Sequence, residues 1–96
     1  MYLSYQRIDA TATVKTVSDL TIPVGATHAE LMSDGAAVLY TMDNATDPST
    51  ALPRGMILRT TDPPKTFVID DIRRIRFVGT AGTSGLNVHY FGGRDI

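Results

Sequence analysis

The stretch that decides the fold is Leu31–Leu58, LMSDGAAVLYTMDNATDPSTALPRGMIL. Its first half is apolar residues around Ser33-Asp34-Gly35-Ala36. Asp-Gly between two alternating runs is a strong signal for a β-hairpin turn. In the run that follows, Val38, Tyr40 and Met42 share one face, and Leu39 and Thr41 share the other. Leu39 on the second face implies that this face is covered too, by a loop or a neighbouring subunit. The polar segment Asp43–Pro53 then supplies Asp, Asn and Pro, the residues of defined turns. A loop this long in a small domain is often functional. Gly55 gives a sharp entry into a new apolar run, Met56-Ile57-Leu58.

The same pattern extends outward. Leu3–Ile8 is a weak strand, either an edge strand or an N-terminal arm within residues 1–10. Thr11–Val17 alternates and is rich in β-branched residues, with a bulge or strand end near Thr16. Leu20 and Ile22 share a face before Pro23, which cannot donate to a ladder. Thr27–Met32 alternates again, with Ala29 and Leu31 on one side and His28 and Glu30 on the other. Thr66–Ile69 is a short strand. Asp71–Ile75 admits a helical turn, while Arg74–Val78 reads as strand with Ile75 and Phe77 inward. Gly79–Gly85 is a Gly-rich loop expected to be mobile. Leu86, Val88 and Tyr90 then oppose Asn87, His89 and Phe91, and residues 92–96 form a tail. These are seven to eight short strands at spacings of about 8–12 residues. The expected fold is an all-β, antiparallel β-sandwich, Ig-like or jelly-roll-like, in a single domain spanning 1–96.

Composition narrows the function classes. Ninety-six residues support one core. The hydrophobic fraction of 43% is too high for disorder. A formal net charge of −1 offers no steering towards nucleic acid. With no cysteine, disulfides, thiolate metal sites and cysteine nucleophiles drop out together. No apolar run approaches the ~20 residues of a membrane span, and the start, Met1–Arg7, lacks the plan of a signal peptide.

Few residues point to chemistry. His28 and His89 sit on the polar sides of their strands without converging ligands, so they read as surface or interface histidines. The serines lie in turn or terminal contexts, and none forms a nucleophile elbow. No cofactor motif is present, since the glycines of 79–85 do not precede a helix. Asp43, Asn44 and Asp47 are weak candidates for Ca²⁺, but EF-hand spacing is missing and Asx-turn capping explains them better. Arg73, Arg74 and Arg76 form a basic cluster beside Asp70 and Asp71. Without interleaved aromatics, cross-strand pairing or a subunit contact suits it better than nucleic acid.

The order of motifs is similar to that of small virion proteins of tailed bacteriophages. Thr21-Ile22-Pro23-Val24-Gly25-Ala26-Thr27-His28-Ala29 resembles their strand-Pro-x-Gly-Ala opening. Leu39-Tyr40-Thr41-Met42-Asp43-Asn44-Ala45-Thr46-Asp47-Pro48-Ser49 resembles their Tyr-Thr-x-Asp-Gly-x-x-Pro-Thr loop. Gly55-Met56-Ile57-Leu58 and the closing strand Leu86–Phe91 complete the likeness, from about Thr13 onward. Asn44 stands where Gly is usual and Ser49 where Thr is usual. Asn tolerates left-handed backbone, so the turn survives. The loop is also similar to fibronectin-like accessory modules of carbohydrate enzymes. A 96-residue chain with its own Met1 favours the free-standing virion protein.

The phage resemblance implies a non-enzymatic structural protein. It would be made in the host cytoplasm and carried on the capsid surface, as a decoration (cement) protein that binds the major capsid protein or other virion subunits. Such proteins often sit as trimers, so a homotrimer is expected. A head-tail or tail component is the nearest variant. Residues expected at contacts are the arm Tyr2, Leu3 and Tyr5; Leu39 and Phe91 as surface apolar residues; Asp43, Asn44 and Asp47 in the loop; and Arg73 and Arg74. The competing expectation is a carbohydrate- or receptor-binding module, suggested by the Asp43–Thr50 loop and by outward Tyr and His residues. The absence of Trp weighs against it.

Overall fold

The computed structural model describes residues 1–51 and 54–93. Eight strands run in order: β1 (Tyr2–Asp9), β2 (Lys15–Thr16), β3 (Ala26–Asp34), β4 (Val38–Thr41), β5 (Met56–Leu58), β6 (Lys65–Val68), β7 (Arg76–Gly79) and β8 (Gly85–Gly92). A single helical turn, α1 (Ile69–Ile72), precedes β7. The strands form two antiparallel four-stranded sheets, β1-β8-β3-β6 and β2-β7-β4-β5. The chain is in effect folded in half: β1 pairs with β8, β2 with β7, β3 with β6 and β4 with β5. The doubled ribbon then rolls up, so that β3 also pairs with β8 and β4 with β7. This strand order is that of a jelly roll, which settles the choice between the two expected sandwiches. The far tip of the folded ribbon is the connection from β4 to β5, the long polar loop.

Alternation along each strand sorts side chains inward or outward. Leu86, Val88 and Tyr90 of β8 and Ala29 and Leu31 of β3 face Val38 and Tyr40 of β4, Leu58 of β5 and Phe77 of β7 across the core. Tyr40 meets Phe67 of the opposite sheet edge-to-face, with ring centroids 5.8 Å apart. The apolar carriers of the fold are thus spread over both halves of the sequence, and only the roll brings them together. The buried Tyr90 hydroxyl is bonded. The Tyr90 hydroxyl donates to Gln6 Oε1 at 3.1 Å, and the same oxygen accepts from the Thr21 amide at 2.9 Å. Burial raises the Tyr90 phenol to about 12 and also raises that of Tyr40.

Several local expectations need correction. The Ser33–Ala36 turn does not close a hairpin. β3 and β4 belong to different sheets, and the turn carries the chain across the sandwich. Gly35, at φ +73°, is needed there: a Cβ would lie 1.9 Å from the Thr83 carbonyl oxygen. Asp-Gly chemistry marks a tight turn, but it does not choose the partner, and β3 finds longer ladders in β8 and β6. The Thr11–Val17 strand shrinks to Lys15–Thr16. Thr11 Oγ1 instead accepts from the Thr13 amide at 3.2 Å. Thr16 and Asp19 form a capping box around a 3-10 turn over Val17–Asp19. Hydroxyls here compete with the ladder for backbone donors. Leu20 is drawn into the core by that turn rather than by a strand. The helical turn expected over Asp71–Ile75 lies over Ile69–Ile72 instead, directly after β6 ends at Val68.

The Gly-rich loop is tied down by buried Ser84. Its Oγ accepts from the Thr80 amide at 3.1 Å and the Ala81 amide at 3.2 Å, and donates to the Ala37 carbonyl at 2.9 Å. The Ser84 carbonyl in turn accepts from the Ala10 amide at 3.0 Å. One serine therefore joins three chain crossings at this end of the sandwich. At the other end β1 is an edge strand continued by Met1, which exchanges backbone bonds with Gly92. β8 runs through Gly92, and the remainder of the expected tail, residues 94–96, lies outside the described residues.

Candidate functional site

The two outer faces of the sandwich differ. On the β2-β7-β4-β5 sheet, Leu39, Thr41, Arg76 and Val78 point outward. The β4–β5 loop folds back over this face, and Val78 is left only 4% exposed. The covering anticipated for Leu39 is thus begun by the chain's own loop, and Leu39 itself is half-buried.

The loop is bonded from inside. The Asp43 carboxylate accepts from the amides of Ala45 (3.0 Å) and Thr46 (2.8 Å) and from the Thr46 hydroxyl (2.6 Å). Bonding to Thr46, and then to the Ala45 amide, lowers the Asp43 carboxyl to about 2. Asn44 takes φ +56°, a left-handed conformation that Asn tolerates better than most residues. The Asn44 amide donates to the Arg74 carbonyl at 3.2 Å. Arg76 then clamps the loop, donating to the carbonyls of Asn44 (3.1 Å) and Ala45 (3.2 Å) and to Asp47 Oδ1 (2.7 Å). Its Nε is buried without a partner. Thr41 Oγ1 donates to the Thr46 carbonyl, Pro48 is buried, and Ser49 and Arg54 exchange backbone bonds at 3.0 Å. Beside the loop lies a recess of about 380 Å³ lined by Val14, Asp47, Pro48, Thr50, Arg54 and Val78. Leu52 and Pro53 fall outside the described residues.

These bonds engage both candidate carboxylates, Asp43 and Asp47, from within the chain. One carboxylate is turned onto hydroxyl and amide donors, and the other is paired with a guanidinium. No cluster of three or more metal-ligating side chains occurs among the described residues.

The outer face of the β1-β8-β3-β6 sheet is open. His89 lies between Tyr5 and Tyr2, with ring centroids at 4.8 and 5.6 Å. Phe91 meets Tyr2 edge-on at 5.7 Å. Tyr2 and Tyr5 remain 52% and 49% exposed, and Met32 and Val68 are also exposed. Below the rings, a chain of polar bonds crosses three strands. The Tyr5 hydroxyl donates to Asn87 Oδ1, and Asn87 Nδ2 donates to Asp34 Oδ2. Arg7 grips Asp34 through Nε (2.9 Å) and Nη2 (2.7 Å), and its Nη1 reaches Asp9. These bonds, first from Arg7 and then from Asn87, lower the Asp34 carboxyl to about 2, while the two carboxylates raise the Arg7 guanidinium.

The sequence-derived contact residues therefore divide. Tyr2, Tyr5 and Phe91 meet on the open face, while Leu3 packs against the core at its margin. Leu39, Asp43, Asn44 and Asp47 belong to the opposite, loop-covered face. Arg73 and Arg74 are exposed where α1 leads into β7. Arg76 was grouped with them by sequence proximity, but alternation puts it on the sheet, under the loop. Asp34, Asn87, Met32 and His89 were not expected together. The outward alternation of β8 held part of that signal; the β1–β8–β3 register did not show in the sequence.

No family model matches the chain, and no curated protein or solved structure matches it.

Proposed function

We propose that the chain is a non-enzymatic structural protein of a tailed-bacteriophage virion, a decoration protein that docks on the capsid surface through the β4–β5 loop. The observation that carries this reading is the internal bonding of an exposed loop. The bonds of Asp43, Thr41 and Arg76 fix a turn-rich segment in which Asn44 and Ala45 are exposed to solvent. A contact element ordered beforehand loses little conformational entropy on binding, which strengthens association without added area. The recess beside it offers a partner side chain a place to enter.

Two further points support the reading. The motif order resembles that of small virion proteins. A jelly roll is an architecture used in capsids, although fold alone does not assign function. The major capsid protein would be the partner, with a homotrimer as the docked species and a head-tail or tail position as the variant. No helix among the described residues is long and apolar enough to cross a membrane.

The test is capsid endurance. Phage particles assembled without the protein should burst at lower temperature or milder osmotic stress than complete ones, and purified protein added back should restore them. Equal endurance with and without it would end the proposal.

A further inference from the structure

The open face holds a shallow depression of about 620 Å³, bounded by Tyr2, Tyr5, Met32, Asp34, Asn87 and His89. We infer that it binds a neutral pyranose sugar. The inference is independent of capsid docking, which uses the opposite face of the sandwich.

A pyranose presents two chemistries at once: a flat patch of C–H groups and a rim of paired hydroxyls. The depression presents the complement of both. The half-exposed rings of Tyr2 and Tyr5, with His89 between them, form the apolar floor. The polar wall is Asn87 and Asp34; beyond the bonds they make to Tyr5, Arg7 and each other, Asn87 keeps one N–H and one Oδ1 lone pair and Asp34 keeps one Oδ1 lone pair, enough to meet vicinal hydroxyls. These groups are already oriented. Tyr5 holds Asn87, Asn87 holds Asp34, and Arg7 holds Asp34 from the other side. Such a wall needs no reorganisation to receive a ligand.

Charge selects among sugars. Arg7 is offset by both Asp34 and Asp9, so among the described residues that bound the depression no cation is left over to attract a sialic or uronic acid. The volume suits one or two sugar rings. A site this open, for a ligand of about a dozen heavy atoms per ring, should bind in the millimolar range. A protein partner fits the lining less well, because the hydrogen-bonding groups lie within the depression beside the rings rather than around a dry apolar centre.

The experiment is an amide NMR titration of the ¹⁵N-labelled chain with glucose, N-acetylglucosamine, galactose and mannose, and with maltose, cellobiose, lactose and N,N′-diacetylchitobiose. The expected result is saturable shifts at the amides of Tyr5, Met32, Asn87 and His89 with at least one of these. Tyr5→Ala and Asn87→Ala, both at exposed or half-exposed positions, should each weaken that binding by about tenfold with their spectra otherwise native. Tyr5→Phe keeps the ring but loses the bond to Asn87, and should fall between. Three results would overturn the inference: no shift on this face with any of the eight sugars, shifts confined to the β4–β5 loop, or face shifts that follow protein concentration without sugar. The last would mean that a second copy covers the rings.

Discussion

Replacing Arg76 by alanine removes the clamp on the β4–β5 loop and leaves the strand that carries it. Three hydrogen bonds go, to the Asn44 and Ala45 carbonyls and to Asp47. A net hydrogen bond from a charged donor contributes on the order of 1 kcal/mol or more. The ion pair is discounted, because the Arg76 and Asp47 side chains are 26% and 57% exposed and solvent screens them. Against the loss stands a gain: the buried, unpartnered Nε no longer has to be desolvated. The balance is about 1.5 kcal/mol of destabilisation, a fall in Tm of roughly 6–12 °C for a domain of this size. Thermal denaturation by circular dichroism measures the total. Hydrogen exchange measures where it falls: the amides of Asn44 and Thr46 should exchange faster, and those of Val88 and Tyr90 only in proportion to global stability. A variant with unchanged Tm and unchanged exchange in 43–47 would refute the claim that Arg76 orders the loop.

Other consequences follow from the same structure. Ser84→Ala strands the Ala81 amide and removes one bond each from the Thr80 amide and the Ala37 carbonyl, which remain bonded to each other; it should cost about 2 kcal/mol by chemical denaturation, while Ser33→Ala, which loses one buried bond to the Leu58 carbonyl, should cost about 1 kcal/mol. Acid should weaken the fold in a defined window. The carboxyls of Asp34 and Asp43 are lower in the folded chain than their ordinary 3.8, so their contribution is complete above that pH and is lost as pH falls towards about 2. Unfolding midpoints followed through that range, at low and high salt, should show the loss, with the Asp34 part reduced by salt. Alkali should do the converse: burial raises Tyr90 to about 12, so stability is complete below the ordinary tyrosine value of 10.0 and declines between the two, by at most about 2–3 kcal/mol. Tyr90→Phe should flatten most of that alkaline decline.

The all-β class was legible because alternation is a local property, and Leu86, Val88 and Tyr90 or Val38 and Tyr40 show it within five residues. Partner choice was not. Asp34-Gly35 has the chemistry of a hairpin turn, and nothing local reveals that the next strand crosses to another sheet. The β1–β8 pairing spans nearly the whole chain and is set by how the ribbon rolls, which no short window contains. Thr11, Thr13 and Thr16 look like strand residues by propensity, yet their hydroxyls serve turns and caps, a competition decided only when neighbours are in place. The same limit governs the candidate sites. The turn chemistry of Asp43 and Asn44 could be read directly, whereas Arg76, the residue that secures them, looked like part of a basic run. On the open face, the residues around the depression come from β1, β3 and β8, and their meeting depends on register.

The claim that the loop-bearing face is the docking face is tested most directly by co-sedimentation. Capsids of the phage that the proposal takes as the source, assembled without this protein, would be mixed with the purified wild-type chain, with Ala45→Lys and with Tyr5→Ala. Ala45 is exposed and contributes only backbone bonds, so lysine there obstructs a contact without loosening the loop. The account predicts that wild type and Tyr5→Ala pellet equally with capsids and that Ala45→Lys stays in the supernatant. A wild-type chain that does not pellet, or an Ala45→Lys variant that pellets while Tyr5→Ala does not, would contradict it.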